Sequence, residues 1–423
     1  MIKMLKQLFN PKNKDILKKV GFTLVALFIF KLGTMIQVPG TDPITSDLGF
    51  LELLNAMGGG AFKQFSIFAV GVMPYITASI ITQLLQMDIV PYFSDLAKQG
   101  QAGRNKLNKI NRYIGIFLAF IQGYIFSISF LPAGSGTIEY LKIAVILTAG
   151  TAFLLWLGDQ MTQKGIGNGI SMIIMAGILM NIPTMFMTAF SEMVNFSTAQ
   201  TSVMGIVGFS LFVILYFAII IGVIFIQQAE RRIPMQSSNK TASSYAGKQN
   251  YMPIKVNSAS VMPVIFASMV IAIPSTIASF LKNDGITLFI NKYLSYNSIT
   301  GFAFYMLVIL FFTYFYTYMM LKPDEISSNF QKNGSYIPGV RPGKETSKYL
   351  KTILSHLNLI AAVFLMVIAG MPIIFSNVSS LGASVTIGGT GLLIVVGVAL
   401  ETYNQLESEL LSRSYGGKFS WKI

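Results

Sequence analysis

The sequence predicts an all-α polytopic membrane protein of ten transmembrane helices, arranged as two five-helix halves of opposite orientation. Three observations predict it. Hydrophobic residues make up 53% of the 423 and charged residues only 11%, where a soluble domain carries about 25% charged residues. Most apolar runs continue without a charge for about 20 residues, the length that crosses a bilayer. The basic residues also take sides: 26 of the 31 Lys and Arg fall in the N-terminal arm, in the loops after the second, fourth, sixth and eighth spans, and in the tail. Basic loops stay cytoplasmic, so both termini are expected in the cytoplasm.

In chain order, residues 1–19 read as a basic amphipathic arm. The N-terminal half, 20–203, has spans expected at about 20–38, 71–90, 113–131, 141–157 and 170–190. Lys31 lies inside the first span. The stretch from Thr41 to Phe68 is too polar to cross; it holds a short amphipathic segment, Leu51 to Met57, and then Gly58, Gly59 and Gly60. The C-terminal half, 204–406, has spans at about 204–226, 256–281, 301–321, 352–371 and 387–403. Two long basic loops, 227–255 and 322–351, interrupt it, and a charged tail, 407–423, follows. The apolar run after the basic arm is too long and lacks a small-residue cleavage site, so a cleavable signal peptide is not expected.

An internal echo supports the division. Val72-Met73-Pro74-Tyr75-Ile76-Thr77-Ala78-Ser79 returns as Val261-Met262-Pro263-Val264-Ile265-Phe266-Ala267-Ser268, identical at six of eight positions. The two copies open the second and seventh spans, which the charge pattern runs in opposite directions. Inverted repeats place a pathway at the interface of the halves, near the midplane.

Chemistry is scarce. Cysteine is absent and His356 is the single histidine, which removes thiolate sites and histidine-based metal clusters. There is no phosphate-binding glycine loop and no catalytic triad, so no enzyme activity, cofactor or metal is expected. A secondary transporter is the alternative for an inverted repeat; it calls for mid-membrane acidic residues, and spans two to nine hold none. The repeat interface offers isoleucines instead: Ile76 and Ile80, Ile174 and Ile178, Ile265, and Ile394. Spacings of four set the first two pairs on single helix faces. An apolar ring gates a pore by excluding water; isoleucines that pack or face lipid would read the same way.

At this point a resemblance becomes specific. The motifs are Ile67-Phe68-Ala69-Val70-Gly71-Val72-Met73-Pro74-Tyr75-Ile76, Gly103-Arg104, Gly165-Ile166-Gly167-Asn168-Gly169-Ile170-Ser171, Gln228-Ala229-Glu230-Arg231-Arg232-Ile233-Pro234, Pro253-Ile254-Lys255-Val256-Asn257, Phe315-Tyr316-Thr317, Ile337-Pro338-Gly339-Val340-Arg341-Pro342-Gly343 and Gly388-Gly389-Thr390. In that order, along nearly the whole chain, they resemble the SecY family, pore subunits of the bacterial Sec translocon. Lys31 stands where the family commonly has arginine.

The resemblance implies a protein-conducting channel of the bacterial plasma membrane, its two halves clasping a central pore. The six isoleucines match the family's pore ring. Residues of about 48–65 match its re-entrant plug half-helix, with Gly58, Gly59 and Gly60 as hinge. Spans two and three against seven and eight match the lateral gate, through which transmembrane segments leave for lipid; its polar residues here are Thr77, Ser79, Thr82, Gln83, Ser275 and Thr276. The basic loops match the docking surface for the SecA ATPase motor and the ribosome, which points to Arg231, Arg232, Arg341, Lys240 and Lys248. Signal peptides, nascent chains and membrane lipids are the further implied partners, with SecE and SecG as companion subunits.

Overall fold

A computed structural model describes residues 14–44, 52–86, 90–131, 136–194, 199–237, 250–281, 284–294, 298–379 and 388–416. The helices in chain order are α1 (Lys14–Met35), α2 (Glu52–Met57), α3 (Met73–Leu85), α4 (Pro91–Lys98), α5 (Gly100–Phe130), α6 (Thr137–Lys164), α7 (Gly169–Met193) and α8 (Ala199–Gln228). They continue as α9 (Met262–Leu281), α10 (Asp284–Tyr293), α11 (Ile299–Leu321), α12 (Pro323–Lys332), α13 (Lys344–Ser379) and α14 (Gly388–Gly416).

Among the described residues, six helical runs are both long and apolar enough to cross a membrane: α5, α6, α7, Gly205–Gln228 of α8, Ile299–Lys332, and Lys344–Met371 of α13. In the run Ile299–Lys332, α11 is the apolar part and α12 is polar. The other four expected spans fall on α1, α3, α9 and α14. The outer face of α8 is oily, with Ile214, Ile221 and Phe225 each about two-thirds exposed or more (66, 67 and 72%). Water rarely tolerates such a contiguous face; hydrocarbon does.

Helix bounds depart from the expected spans where local chemistry outweighs hydropathy. α3 has 13 residues, about 20 Å at 1.5 Å per residue, short of the roughly 30 Å hydrocarbon core. α5 begins well before residue 113 and carries Arg104, Lys106, Lys109 and Arg112, so much of the expected basic loop is helix. Both copies of the echo start helices at their methionine, Met73 and Met262, each with proline next. Proline lacks the N–H that a first turn leaves unbonded anyway. α7 starts where the Asn168 side chain accepts from the N–H groups of Ile170 and Ser171. It also continues through Pro183.

The all-α expectation needs one correction. The long loops form a three-stranded antiparallel sheet, β1 (Glu230–Ser237), β2 (Asn250–Lys255) and β3 (Ser335–Tyr336), in the order β2-β1-β3. Ile233 pairs with Met252, and Gln236 with Tyr336 across a hundred residues of chain. Ile233 and Ile254 bury against Ile337, Leu350 and Leu354. A strand this short shows its two-residue period only once its partner covers one face. Pro234 is tolerated because β3 pairs with β1 only from Gln236 onward, which leaves the stretch before it an open edge.

Three apolar cores organise the helices. One joins α5 and α6 to Val38, Ile44, Phe62 and Phe65. Another joins α8, α9, α11, α13 and α14 to the end of α7. The third takes residues from α1, α3, α6 and α7 and also from α9 and α14, thus from both halves of the chain.

Candidate functional site

The six isoleucines meet in that third core. Ile76, Ile174, Ile178, Ile265 and Ile394 are buried, at 5 to 8% exposure. Ile80 is half-buried and also packs on Ala259, Phe266 and Tyr316. Gly391 lets α14 approach α7 there: a Cβ on it would lie 2.9 Å from Ile178 Cγ2. Methionines fill the space around the isoleucines, among them Met73, Met172, Met175, Met262 and Met269. Sequence reasoning passed over them. The signal was present, since Met73, Met175 and Met262 each precede a named isoleucine by three positions, on the same helix face.

Beside this cluster lies the segment expected as plug. Residues 45–51 fall outside the described residues; the described part is α2 and the turns after it. Gly59 (φ 69°) and Gly60 (φ 85°) occupy the left-handed region that glycine enters without strain, and Gly58 does not. The Asn55 carbonyl accepts from the Gly60 N–H at 2.9 Å, and its side-chain oxygen from the Lys63 N–H at 3.0 Å. Met57 and Ala61 enter the isoleucine core. Phe62 turns the other way, edge-on to Phe126 at 5.0 Å. A cavity of about 500 Å³ adjoins the segment, lined by Lys31, Asn55, Gly59, Gly60, Lys63, Asn181 and Glu192. Ile178, Met180, Ile182 and Met185 line its other walls, so Lys31, the one cation expected inside a span, borders a space of mixed polarity that also holds Lys63 and Glu192.

The expected gate residues divide. Thr77 Oγ1 donates to the Met73 carbonyl at 3.1 Å and reaches Met269 Sδ on α9 at 3.6 Å, so it touches across the halves. Gln83 Nε2 donates to Ser79 Oγ along α3 at 3.2 Å. Thr82 is fully buried, and Thr82 Oγ1 and Gln83 Oε1 have no hydrogen-bond partner among the described residues. Ser275 and Thr276 lie on α9, but their side chains fall outside the described residues.

The basic loops separate residues that the sequence treats alike. Arg232 Nε donates to Glu230 Oε1 at 2.7 Å and its guanidinium sits 4.8 Å from the Tyr251 ring centre. The Glu230 hydrogen bond, with the charge beside it, raises the Arg232 pKa further. Arg231 is exposed, with no such partner among the described residues. Arg341 is exposed in a turn bounded by Gly339 (φ 81°) and Gly343 (φ 96°). Its carbonyl accepts from Thr346 Oγ1 at 2.9 Å, and that of Gly343 from Ser327 Oγ at 2.6 Å. Asp324 clamps the base, accepting from Ser347 Oγ at 2.5 Å and pairing with Lys351 at 2.9 Å. The Ser347 bond first, then Lys351, holds its carboxyl below the usual carboxylate range. Lys240 and Lys248 lie outside the described residues. No cluster of metal-ligating side chains occurs among the described residues.

Apolar helices from both halves of the chain, packed on one buried core beside a cavity of mixed lining, define a polytopic helical membrane protein. The sequence model of the SecY family matches residues 66–403. The chain is 44% identical over 423 residues to the protein translocase subunit SecY of Staphylococcus aureus (strain NCTC 8325 / PS 47), covering 96% of this chain and 97% of that one. It is 47% identical over 416 residues to the protein translocase subunit SecY of Bacillus subtilis (strain 168), covering 95% and 96%. The chain belongs to the SecY family. The fold agrees: a structure described as that of a protein conducting channel aligns with a TM-score of 0.69 at 19% identity, covering 96% of this chain and 95% of that one. Sec61 from a canine ribosome-channel complex aligns at 0.62 and 17% identity, with the same coverage. As a SecY-family subunit the chain is a protein-conducting channel and not an enzyme, which sets the transporter alternative aside.

Proposed function

We propose that this chain moves unfolded secretory proteins across the bacterial plasma membrane and releases transmembrane segments sideways into lipid, with both termini cytoplasmic. The observation that carries this reading is the single buried cluster formed by isoleucines of α3, α7, α9 and α14. In the resting state that neck excludes water and ions, and the segment 52–65 plugs it. Isoleucine is stiff at χ1, while the surrounding methionines repack readily. Four separate helices widen together, so the neck closes around substrates of any sequence without hydrogen bonds to them. The Thr77 to Met269 contact is the front of the gate, and parting α3 from α9 opens a side exit. An apolar segment in that exit gains about 25 cal/mol for each Å² taken out of water.

The sequence holds no phosphate-binding glycine loop, and in this reading the drive comes from a partner on the basic loops. The motor SecA and the ribosome are the partners this reading names, with SecE and SecG as companion subunits. Two solved relatives, Sec61 and Ssh1, are described in complex with ribosomes. Arg341 and Arg231, exposed and with no ion pair among the described residues, suit bidentate pairing with phosphate or carboxylate. Arg232 is already held by Glu230 and Tyr251. Photo-crosslinkers test the reading. Placed at Ile178, Ile265 or Ile394, they capture a stalled secretory chain, and at the lipid-exposed Phe217 they do not. Capture at Phe217 alone would overturn it.

A further inference from the structure

The plug segment is seated on α7 by two residues that the channel reading leaves unused. The last carbonyls of α2 accept from the turn that follows it, Asn55 from the Gly60 N–H at 2.9 Å and Ala56 from the Gly59 N–H at 3.2 Å, and α7 brings a second donor to them. Asn181 Nδ2 donates to the Ala56 carbonyl at 2.9 Å, with the Asn55 carbonyl at 3.5 Å, and braces on its own helix at the Gly177 carbonyl, 3.2 Å away. One turn before it, Gly177 receives the backbone of the segment directly. A Cβ there would lie 2.2 Å from the Met57 oxygen and 3.0 Å from the Gly59 nitrogen. Gly59 answers from the other side, where a Cβ would stand 3.3 Å from the Gly177 Cα.

We propose that Gly177 and Asn181 form a latch that holds the plug closed, Gly177 as the socket and Asn181 as the positioning residue that binds it. The inference rests on the plug reading above and adds the device that couples plug to neck. Ile174 and Ile178 sit on the same two turns of α7 as Gly177 and Asn181. Any movement of α7 that widens the isoleucine neck therefore withdraws the socket as well. The latch uses main-chain carbonyls of the segment, so it sets no demand on the side chains of α2. Once the plug leaves, the Asn181 amide faces the adjoining cavity, where water satisfies it.

The test uses the whole translocase in membranes and a chain that contains no native cysteine. Asn181→Leu keeps the branched shape, with somewhat greater bulk, and removes the donor. Gly177→Ala fills the socket while favouring the helix, and serves where Asn181→Leu fails to accumulate. Asn181→Leu raises resting ion leak and export of a reporter with a defective signal sequence by roughly fivefold, the worth of one hydrogen bond, and Gly177→Ala raises both as well. Ala61, fully buried at rest, supplies a second readout: in an Ala61→Cys background, either change speeds labelling by an aqueous maleimide. A merely structural role would lower protein level without that gain. Deletion of residues 52–57 is the reference. Leak from the deletion but unchanged leak and labelling in both point variants overturns the latch and leaves the plug standing. No leak from the deletion overturns both.

Discussion

Replacing Ile394 with Asn tests the neck most directly, because the competing readings differ in sign. Ile394 is 5% exposed, in a core whose members are apolar side chains of isoleucine, methionine, leucine, valine, phenylalanine and alanine. An amide placed there is desolvated among these apolar side chains while the neck is closed. Leaving it unbonded costs about 1–3 kcal/mol, a cost that vanishes when the neck opens and water enters. At about 1.4 kcal/mol for each factor of ten, the open-to-closed ratio rises roughly 5- to 150-fold. Ion leak through the resting channel rises with it, and so does export of a reporter whose signal sequence is crippled. Ala399→Asn on the exposed face of the same helix is the control. If Ile394 only packed against a neighbouring helix, asparagine would lower protein yield and nothing would be gained. Unchanged or reduced export, with the variant at wild-type level, refutes the neck at this position.

Other consequences can be checked in parallel. Arg341→Glu is expected to abolish motor-driven transport with insertion and protein level intact, since exposed substitutions usually shift stability by less than about 0.5 kcal/mol while reversed charge repels the partner; normal secretion removes Arg341 from the docking surface. Arg231→Ala should impair transport more than Arg232→Ala, because Arg232 is engaged by Glu230 and Tyr251; equal defects argue against the distinction. The Asp324 clamp has a defined pH window. Its folded-state pKa is lowered, so its contribution is complete above the ordinary carboxylate value and is lost as pH falls through the lower folded value. A dye on Arg341→Cys should keep its anisotropy through the ordinary carboxylate range and lose it only below, whereas Asp324→Asn should be low throughout; a midpoint at the ordinary value counts against the clamp. Reporter fusions after Lys106, Asn239 and Gly334 should read cytoplasmic, and after Gly134, Thr198 and Asn291 external; an external reading at Asn239 breaks the five-plus-five inversion.

Much of this protein was legible in its residues one at a time. Hydrocarbon imposes its demand locally, on each stretch of about 20 residues, so the apolar helices stand out without knowledge of their neighbours. Spacings of four likewise put Ile76 with Ile80, and Ile174 with Ile178, on single faces. The motifs from Ile67 to Thr390 carried the family. What the residues left undecided depends on distances between elements far apart in the chain. Only the packed helices bring Ile265 and Ile394 to Ile76 and Ile174, because an apolar side chain looks the same whether it faces lipid or another helix. The sheet needed Gln236 and Tyr336 to meet. Arg231 and Arg232, adjacent and chemically identical, were told apart by Glu230 and a strand partner's tyrosine. Asn181 escaped a search for ionisable groups because it is neutral, and Gly177 read as one more glycine in an apolar helix. Their meaning lies in the backbone of Ala56 and Met57, more than a hundred residues earlier, which only the tertiary structure brings within hydrogen-bond reach.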